Sequence, residues 1–147
     1  MGFKKVLIAV DSSPCSLHAV KKGVALARAL NAAVALIFVI DRSHEIVSSD
    51  LGITPLQSES ILLQQAEETV NQMIKMYSQD NNMEIGKFLP EGFPKDEILA
   101  TAKQWKADLI VMGTHGRTGL AHFLMGSIAE YVVRHASIPV MVVPQHE

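Results

Sequence analysis

Short apolar runs alternate along this chain with longer segments in which apolar residues recur every three or four positions. Residues 6–10, 32–40, 108–112 and 140–143 are mainly apolar runs, as expected for strands buried on both faces of a parallel sheet. Residues 83–89 alternate more loosely, which is typical of a half-exposed edge strand. Helical patterns begin after Ser13, near residue 56, at Pro94 and at Ser127. The pattern therefore predicts five strands alternating with four helices.

This alternation predicts a single domain over residues 1–147, of α/β class, with a doubly wound five-stranded parallel sheet. In the strand order 3-2-1-4-5, the first and fourth strands are neighbours and the winding direction reverses between them. Ligands of such sheets bind in the crevice at the carboxyl ends of those strands. Polar residues follow both strands, Asp11 after the first and a glycine-rich stretch after the fourth. We expect these two clusters to face each other across one cleft.

The glycine-rich stretch runs from Gly113 to Ser127 and carries most of the candidate chemistry. It contains Gly113, Gly116, Gly119 and Gly126, with Arg117 and two histidines interleaved. Glycine allows positive φ and close approach of the backbone to a ligand, and the helix that follows begins with unpaired amides. Together these features predict a phosphate site. An alternative is a capping box formed by Ser127 and Glu130, which would need no ligand. It accounts for fewer residues of the stretch than a phosphate site does.

Asp11 has two possible roles at the end of the first strand. It could cap backbone amides in a local turn, or it could hold a ribose hydroxyl or a metal. A phosphorylated receiver domain would need an acidic cluster and a lysine, where this chain has Ser12, Ser13 and Pro144. The glycine fingerprint of dinucleotide-binding folds and the P-loop motif are also missing from the sequence.

Composition narrows the class of protein. Of the 147 residues, 48% are apolar and the formal net charge is −2, which argues against nucleic-acid binding driven by bulk charge. The longest uncharged apolar run, residues 32–40, is too short to span a bilayer. The single cysteine, Cys15, fits a small apolar helix residue and a reducing cytoplasm. The sequence therefore predicts a soluble cytoplasmic protein without a membrane segment.

Other side chains are predicted to be structural. Leu17, Val20 and Val24 are spaced to form the face of the first helix that packs on the sheet, and Leu63 is expected on such a face of the second. The methionines of the second helix fill the core, and Trp105 anchors the core or its rim. Residues 41–56 form a long irregular segment, which is typical of a mobile crossing or a lid.

The glycine spacing resembles the nucleotide-binding signature of the universal stress protein family, in its ATP-binding branch. Gly113 is followed after two residues by Gly116, and after nine more by Gly126 and Ser127. The similarity extends over nearly the whole chain, from residues 6–13 to residues 138–144. It implies the adenine nucleotide alpha hydrolase-like fold and a bound ATP, AMP or ADP, with Mg²⁺ between the phosphates. Family members also commonly dimerise by antiparallel pairing of the last strand, here Val140–Val143.

The resemblance also implies roles for individual residues. Positions matching Ala9 and Asp11 line the base and ribose, the backbone at Val39 meets adenine, and Met112 and Gly113 lie beside ribose and base. Gly116 and Arg117 approach the phosphates, and Gly126, Ser127 and Ile128 enclose them. His115 and His122 are interpreted as loop residues, because no cysteine or carboxylate cluster accompanies them.

We therefore expect an ATP-binding stress-response protein that acts as a sensor or regulator and has no catalytic residues. Two alternatives stay open. One is an enzyme that hydrolyses ATP slowly, or transfers a nucleotidyl group, in the same cleft. The other is a dimeric adaptor in which the nucleotide is structural. Neither the regulated partner nor the stress can be named from the sequence.

Overall fold

The computed structural model describes residues 2–41, 55–78, 83–114 and 125–145. The strands in these ranges are β1 (Lys5–Val10), β2 (Ala33–Phe38), β3 (Ile85–Phe88), β4 (Leu109–Gly113) and β5 (Val140–Val143). The helices are α1 (Pro14–Leu30), α2 (Pro55–Ser78), α3 (Pro94–Trp105) and α4 (Ser127–His135). Strands and helices alternate from β1 to β5, so the predicted sequence of elements is confirmed.

The five strands form one sheet in the order β3-β2-β1-β4-β5, and every neighbouring pair is parallel. The predicted doubly wound topology is therefore confirmed. β3, which covers the loosely alternating residues, lies at one edge, and β5 lies at the other. The winding direction reverses between β1 and β4, as expected.

Two hydrophobic cores cover the two faces of the sheet. Val6, Ile8 and Val10 of β1 point towards α1 and α2, whereas Leu7 and Ala9 point towards α3 and α4. Each of these residues is at least nine-tenths buried. Because both faces are covered, the central strands are continuous apolar runs rather than alternating ones. Ala9 lies beside Ile37 in β2 and Met112 in β4, and these three residues share the face that carries α3 and α4.

Proline is the first residue of α1, α2 and α3, and Pro14 and Pro94 were predicted at these helix starts. Pro14 and Pro94 stand in the first turns of α1 and α3, where their missing N–H groups cost nothing. Ser13 is the N-cap of α1, but its side chain makes no cap hydrogen bond. Its Oγ is buried and has no hydrogen-bond partner among the described residues.

Trp105 is a rim anchor, in line with the sequence. Its ring meets that of Phe88 edge-on at 5.7 Å between centroids, and the Nζ of Lys5 lies 5.4 Å from its centroid. Lys5 Nζ also donates a hydrogen bond to the Trp105 carbonyl at 3.0 Å. Trp105 ends α3 and Lys5 begins β1, so both residues lie at the amino end of the sheet. The indole is therefore remote from any ligand bound at the carboxyl ends of the strands.

Three predictions for helix faces were wrong. Leu17 is 40% exposed, Leu63 is 41% exposed and Met76 is 57% exposed. Val20, Val24 and Met73 are buried as expected. Helical spacing gives the direction in which a side chain points, but it does not show how far the sheet extends beneath the helix. Leu17 is in the first turn of α1, close to the carboxyl edge of the sheet.

Candidate functional site

A cleft of about 530 Å³ opens at the carboxyl ends of β1, β2 and β4. Residues that follow these strands form its floor, and α2, α3 and α4 supply its sides. Its volume falls within the range of small-molecule sites in proteins. The cleft lies at the topological switch point, where the sequence analysis placed the ligand.

One wall of the cleft is apolar and belongs to the face of the sheet that carries α3 and α4. Ala9, Val39 and Met112 line it at 8%, 9% and 5% exposure. Ile98 of α3, also buried, lies on the same side. The structure thus brings together three of the five positions expected to contact base and ribose, and the other two, Asp11 and Gly113, also line the cleft. An aromatic base could be buried here without desolvating a charged group.

Asp11 lies at the polar end of this wall, and its carboxylate organises the turn into α1. Asp11 Oδ1 accepts hydrogen bonds from the amide of Ser13 at 2.8 Å and from Ser16 Oγ at 2.9 Å. Ser16 Oγ in turn accepts a hydrogen bond from the Asp11 amide at 2.7 Å. Asp11 therefore performs the local capping role, and it also lines the cleft. Because both bonds use Oδ1, they leave Oδ2 available to a ligand.

The N-terminus of α4 faces the same cleft. Gly126, Ser127 and Ile128 all line it, and Gly126 is the N-cap with an extended backbone, at φ −60° and ψ 154°. The cap supplies no side-chain acceptor. The amides of the first turn therefore have no acceptor in their own helix, and the helix dipole adds positive potential there. This arrangement can bind an anion.

The capping box of Ser127 and Glu130, considered as an alternative to a phosphate site, does not form. It requires Ser127 as the N-cap, but Ser127 is the first residue of the helix, and Glu130 instead forms an ion pair with Arg134 at 2.8 Å. Gly126 also does not need glycine's access to positive φ. Its amide donates to the Thr114 carbonyl at 2.6 Å, which closes the ends of the glycine-rich stretch. The absence of a side-chain cap leaves the helix terminus open to the cleft.

Gly113 is required for packing rather than for an unusual backbone conformation. A Cβ added at Gly113 would lie 2.5 Å from Cys15 Sγ, far inside van der Waals contact. Among the glycines that the structure describes, only Gly92 has a positive φ. Cys15 is buried at 3% exposure, in agreement with its predicted structural role. The glycine thus lets β4 approach the first turn of α1, where the cleft begins.

Several predicted positions lie outside the described residues. These are Gly116, Gly119, Arg117, His115 and His122, together with most of the irregular segment 41–56. Their roles remain predictions. Asp41, the first residue of that segment, lies within the described residues and lines the cleft.

The sequence analysis missed the contribution of α2 and α3 to the cleft. Gln65, Glu68 and Thr69 of α2 line it, as does Pro94 at the start of α3. The helical spacing of apolar residues identifies the buried face of α2. It does not show which residues beside that face lie over the carboxyl ends of the strands and therefore reach the cleft. The position of Pro94 could have been predicted. It starts the helix that follows β3, and such helices begin near the carboxyl ends of the strands, where the cleft lies.

The ionisable side chains in the described lining of the cleft are all acidic. This lining includes the carboxylates of Asp11, Asp41 and Glu68, and no lysine or arginine. The described residues contain no group of three or more histidine, cysteine or acidic side chains that could hold a metal ion. Within the same residues, no helix is long and apolar enough to cross a membrane.

Comparisons with known proteins agree with this architecture. The model of the universal stress protein family matches residues 2–144. Universal stress protein MJ0531 from Methanocaldococcus jannaschii is 39% identical over 141 residues, which are 96% of this chain and 82% of that protein. The structure of universal stress protein UspA from Lactobacillus plantarum has a TM-score of 0.83 at 27% identity, over 97% of this chain and 99% of that one.

Two more distant structures share the fold and contain nucleotides. A universal stress protein in complex with cAMP has a TM-score of 0.65 at 23% identity, covering 99% of each chain. The universal stress protein from Archaeoglobus fulgidus in complex with dAMP has a TM-score of 0.60 at 19% identity, covering 97% of this chain and 99% of that one. The fold, the position of the cleft and the family match lead to one conclusion. The chain belongs to the universal stress protein family.

Proposed function

We propose that this protein binds ATP in the cleft and acts as a nucleotide-dependent sensor or regulator in the stress response. One observation carries the proposal. The N-terminus of α4 has no side-chain cap and opens into the cleft that Asp11 also lines. A phosphate group at α4 and a ribose at Asp11 would then belong to one ligand.

The residues present fit an adenine nucleotide. Val39, Met112 and Ile98 offer an apolar wall to the base. Asp11 Oδ2 accepts a ribose hydroxyl, while Oδ1 keeps the carboxylate in place through its bonds to Ser13 and Ser16. The amides of Ser127 and Ile128 bind phosphate oxygens. The fold neighbours that contain cAMP and dAMP support this assignment, because both ligands are adenine nucleotides.

The glycine spacing supports the ATP-binding branch of the family in particular. In this interpretation Gly116 and Arg117 complete the phosphate site. Mg²⁺ bound with ATP would neutralise part of the phosphate charge in a cleft whose described lining carries three carboxylates. We place the protein in the cytoplasm, where ATP is abundant.

Mass spectrometry and calorimetry test this proposal. Protein isolated from its native host and then denatured should release ATP, ADP or AMP. Nucleotide-free protein should bind ATP more tightly than adenosine, because only ATP places phosphates at α4. Absence of a co-purified nucleotide together with equal or no affinity for ATP and adenosine would refute the proposal.

A slow ATPase is the second candidate function, and we expect hydrolysis to be negligible. Phosphoryl transfer needs a positioned nucleophile and cations around the γ-phosphate. The described cleft lining provides neither, since its ionisable side chains are carboxylates. Phosphate release should stay far below typical turnover numbers, which are on the order of 10 per second. Release at that rate, lost in Arg117→Ala or His115→Ala, would instead establish an enzyme.

We further propose a homodimer built on β5. This strand lies at an edge of the sheet, and Val140, Met141 and Val142 remain half-buried in the single chain. An apolar edge with unpaired backbone groups favours pairing with a second copy. Val142→Lys should convert the dimer to a monomer in sedimentation, while Leu63→Lys, on the exposed side of α2, should leave it unchanged. A wild-type protein that is monomeric at micromolar concentration would contradict this proposal.

A further inference from the structure

We propose that Lys95 is a mobile counter-ion for the phosphate groups of the bound nucleotide. This inference rests on the proposed function and adds a residue that the glycine signature does not contain. In the proposed site Arg117 is the one basic side chain of the glycine signature, and it lies outside the described residues. The described lining of the cleft holds the carboxylates of Asp11, Asp41 and Glu68 and no basic side chain. A polyphosphate that enters this cleft gains from a second cation near its rim.

Lys95 is placed to supply that cation. It follows Pro94, which lines the cleft, and it belongs to the first turn of α3. Its Nζ lies 4.9 Å from the ring centroid of Tyr131 on α4. Tyr131 comes four residues after Ser127, so the two are about one helical turn apart, roughly 6 Å along the axis. Residues four apart share one face of a helix, so Tyr131 and Ser127 lie on the same side of α4.

The interactions of Lys95 allow it to move. Within the described parts of the chain, its ammonium group has no ion-pair partner and is held only over the Tyr131 ring. Tyr131 in turn stacks on His135 at 4.1 Å between ring centroids, which keeps the phenol ring in position. Exposed cation–π contacts are weak, whereas attraction to a multiply charged phosphate grows with every added charge. A nucleotide should therefore draw Lys95 from the ring towards the N-terminus of α4.

Nucleotide titrations of charge variants test this role. In Lys95→Gln, ATP affinity at low salt should fall about fivefold, in line with the strength of an exposed ion pair, while adenosine affinity stays unchanged. The loss should decrease from ATP through ADP to AMP, and it should shrink at high salt because exposed charges are screened. Lys95→Arg should keep most of the affinity. Lys103→Gln removes an exposed charge from the last turn of the same helix and should have no effect.

The results separate this inference from the proposed function. Wild-type protein that binds ATP no better than adenosine refutes both. Wild-type protein that prefers ATP, with Lys95→Gln retaining its full ATP affinity, refutes only the role of Lys95. A loss that is equal for ATP and adenosine, or that also occurs in Lys103→Gln, likewise overturns it, because the effect would then be structural or a matter of net charge.

Discussion

We expect Gly113→Ala to lower the free energy of unfolding by about 1–3 kcal/mol, the usual cost of overpacking a well-packed interior. The added methyl group would lie 2.5 Å from Cys15 Sγ. Either the buried Cys15 side chain must rotate against its neighbours, or β4 and the first turn of α1 must separate, and both elements border the cleft. Thermal unfolding should show a Tm lower by several degrees. Nucleotide affinity should fall as well, because the distance between Asp11 and Gly113 changes.

A double variant provides the control. Once Sγ is removed in Cys15→Ala, the nearest contacts of the new methyl group are Cys15 Cβ at 3.4 Å and its carbonyl oxygen at 3.5 Å, which are ordinary separations. Gly113→Ala should therefore cost much less stability when combined with Cys15→Ala than when made alone. Equal costs in the two backgrounds would show that Cys15 is not the reason for the glycine.

Asp11→Ala should weaken ATP binding by about ten- to a hundredfold, the equivalent of one charge-assisted hydrogen bond. It should also reduce stability, because Oδ1 accepts hydrogen bonds from Ser13 and Ser16. Asp11→Asn separates these two effects. Its amide oxygen can still accept both bonds, so the Tm without nucleotide should remain close to wild type. Its amide nitrogen cannot accept a ribose hydroxyl, so the affinity measured by calorimetry should still fall.

Asp108 offers a matched control for this experiment. Its Oδ2 also accepts two backbone hydrogen bonds, from Lys4 at 2.8 Å and Lys5 at 2.9 Å, but at the amino end of the sheet. Asp108→Asn should leave nucleotide affinity unchanged. Full ATP affinity in both Asp11 variants would restrict Asp11 to its role in the turn.

The fold was predictable because its signals are local and agree with one another. Continuous apolar runs mark strands covered on both faces, and their alternation with helices allows few topologies. Predicted strand ends differ from the observed ones by a few residues, as in β2, where residues 32–40 were expected and Ala33–Phe38 is found. The residues just beyond a strand are as apolar as those inside it. The amino-acid composition therefore does not show where the hydrogen bonds between neighbouring strands end. Ile40, for example, forms an isolated bridge with Glu91 beyond the strand.

The candidate site was predictable where it depends on chain order. Asp11 and the start of α4 follow strands that are neighbours in the sheet, so topology alone brings them together. The contributions of Gln65, Glu68 and Thr69 depend on how α2 lies across the sheet, which the sequence does not encode locally. The N-cap of α4 also differs from the alternative that the sequence offered. Ser127 and Glu130 fit the capping-box pattern, but Gly126 occupies the N-cap and Glu130 pairs with Arg134.

The central claim is that one nucleotide spans the cleft from the apolar wall to the N-terminus of α4. Backbone amide NMR during titration with ATP and with adenosine tests it most directly. Val39 should shift with both ligands, because both carry the base. Ser127 and Ile128 should shift strongly with ATP and little with adenosine, because only phosphates reach α4. Equal shifts of Ser127 and Ile128 with the two ligands, or no shift with ATP, would contradict the account.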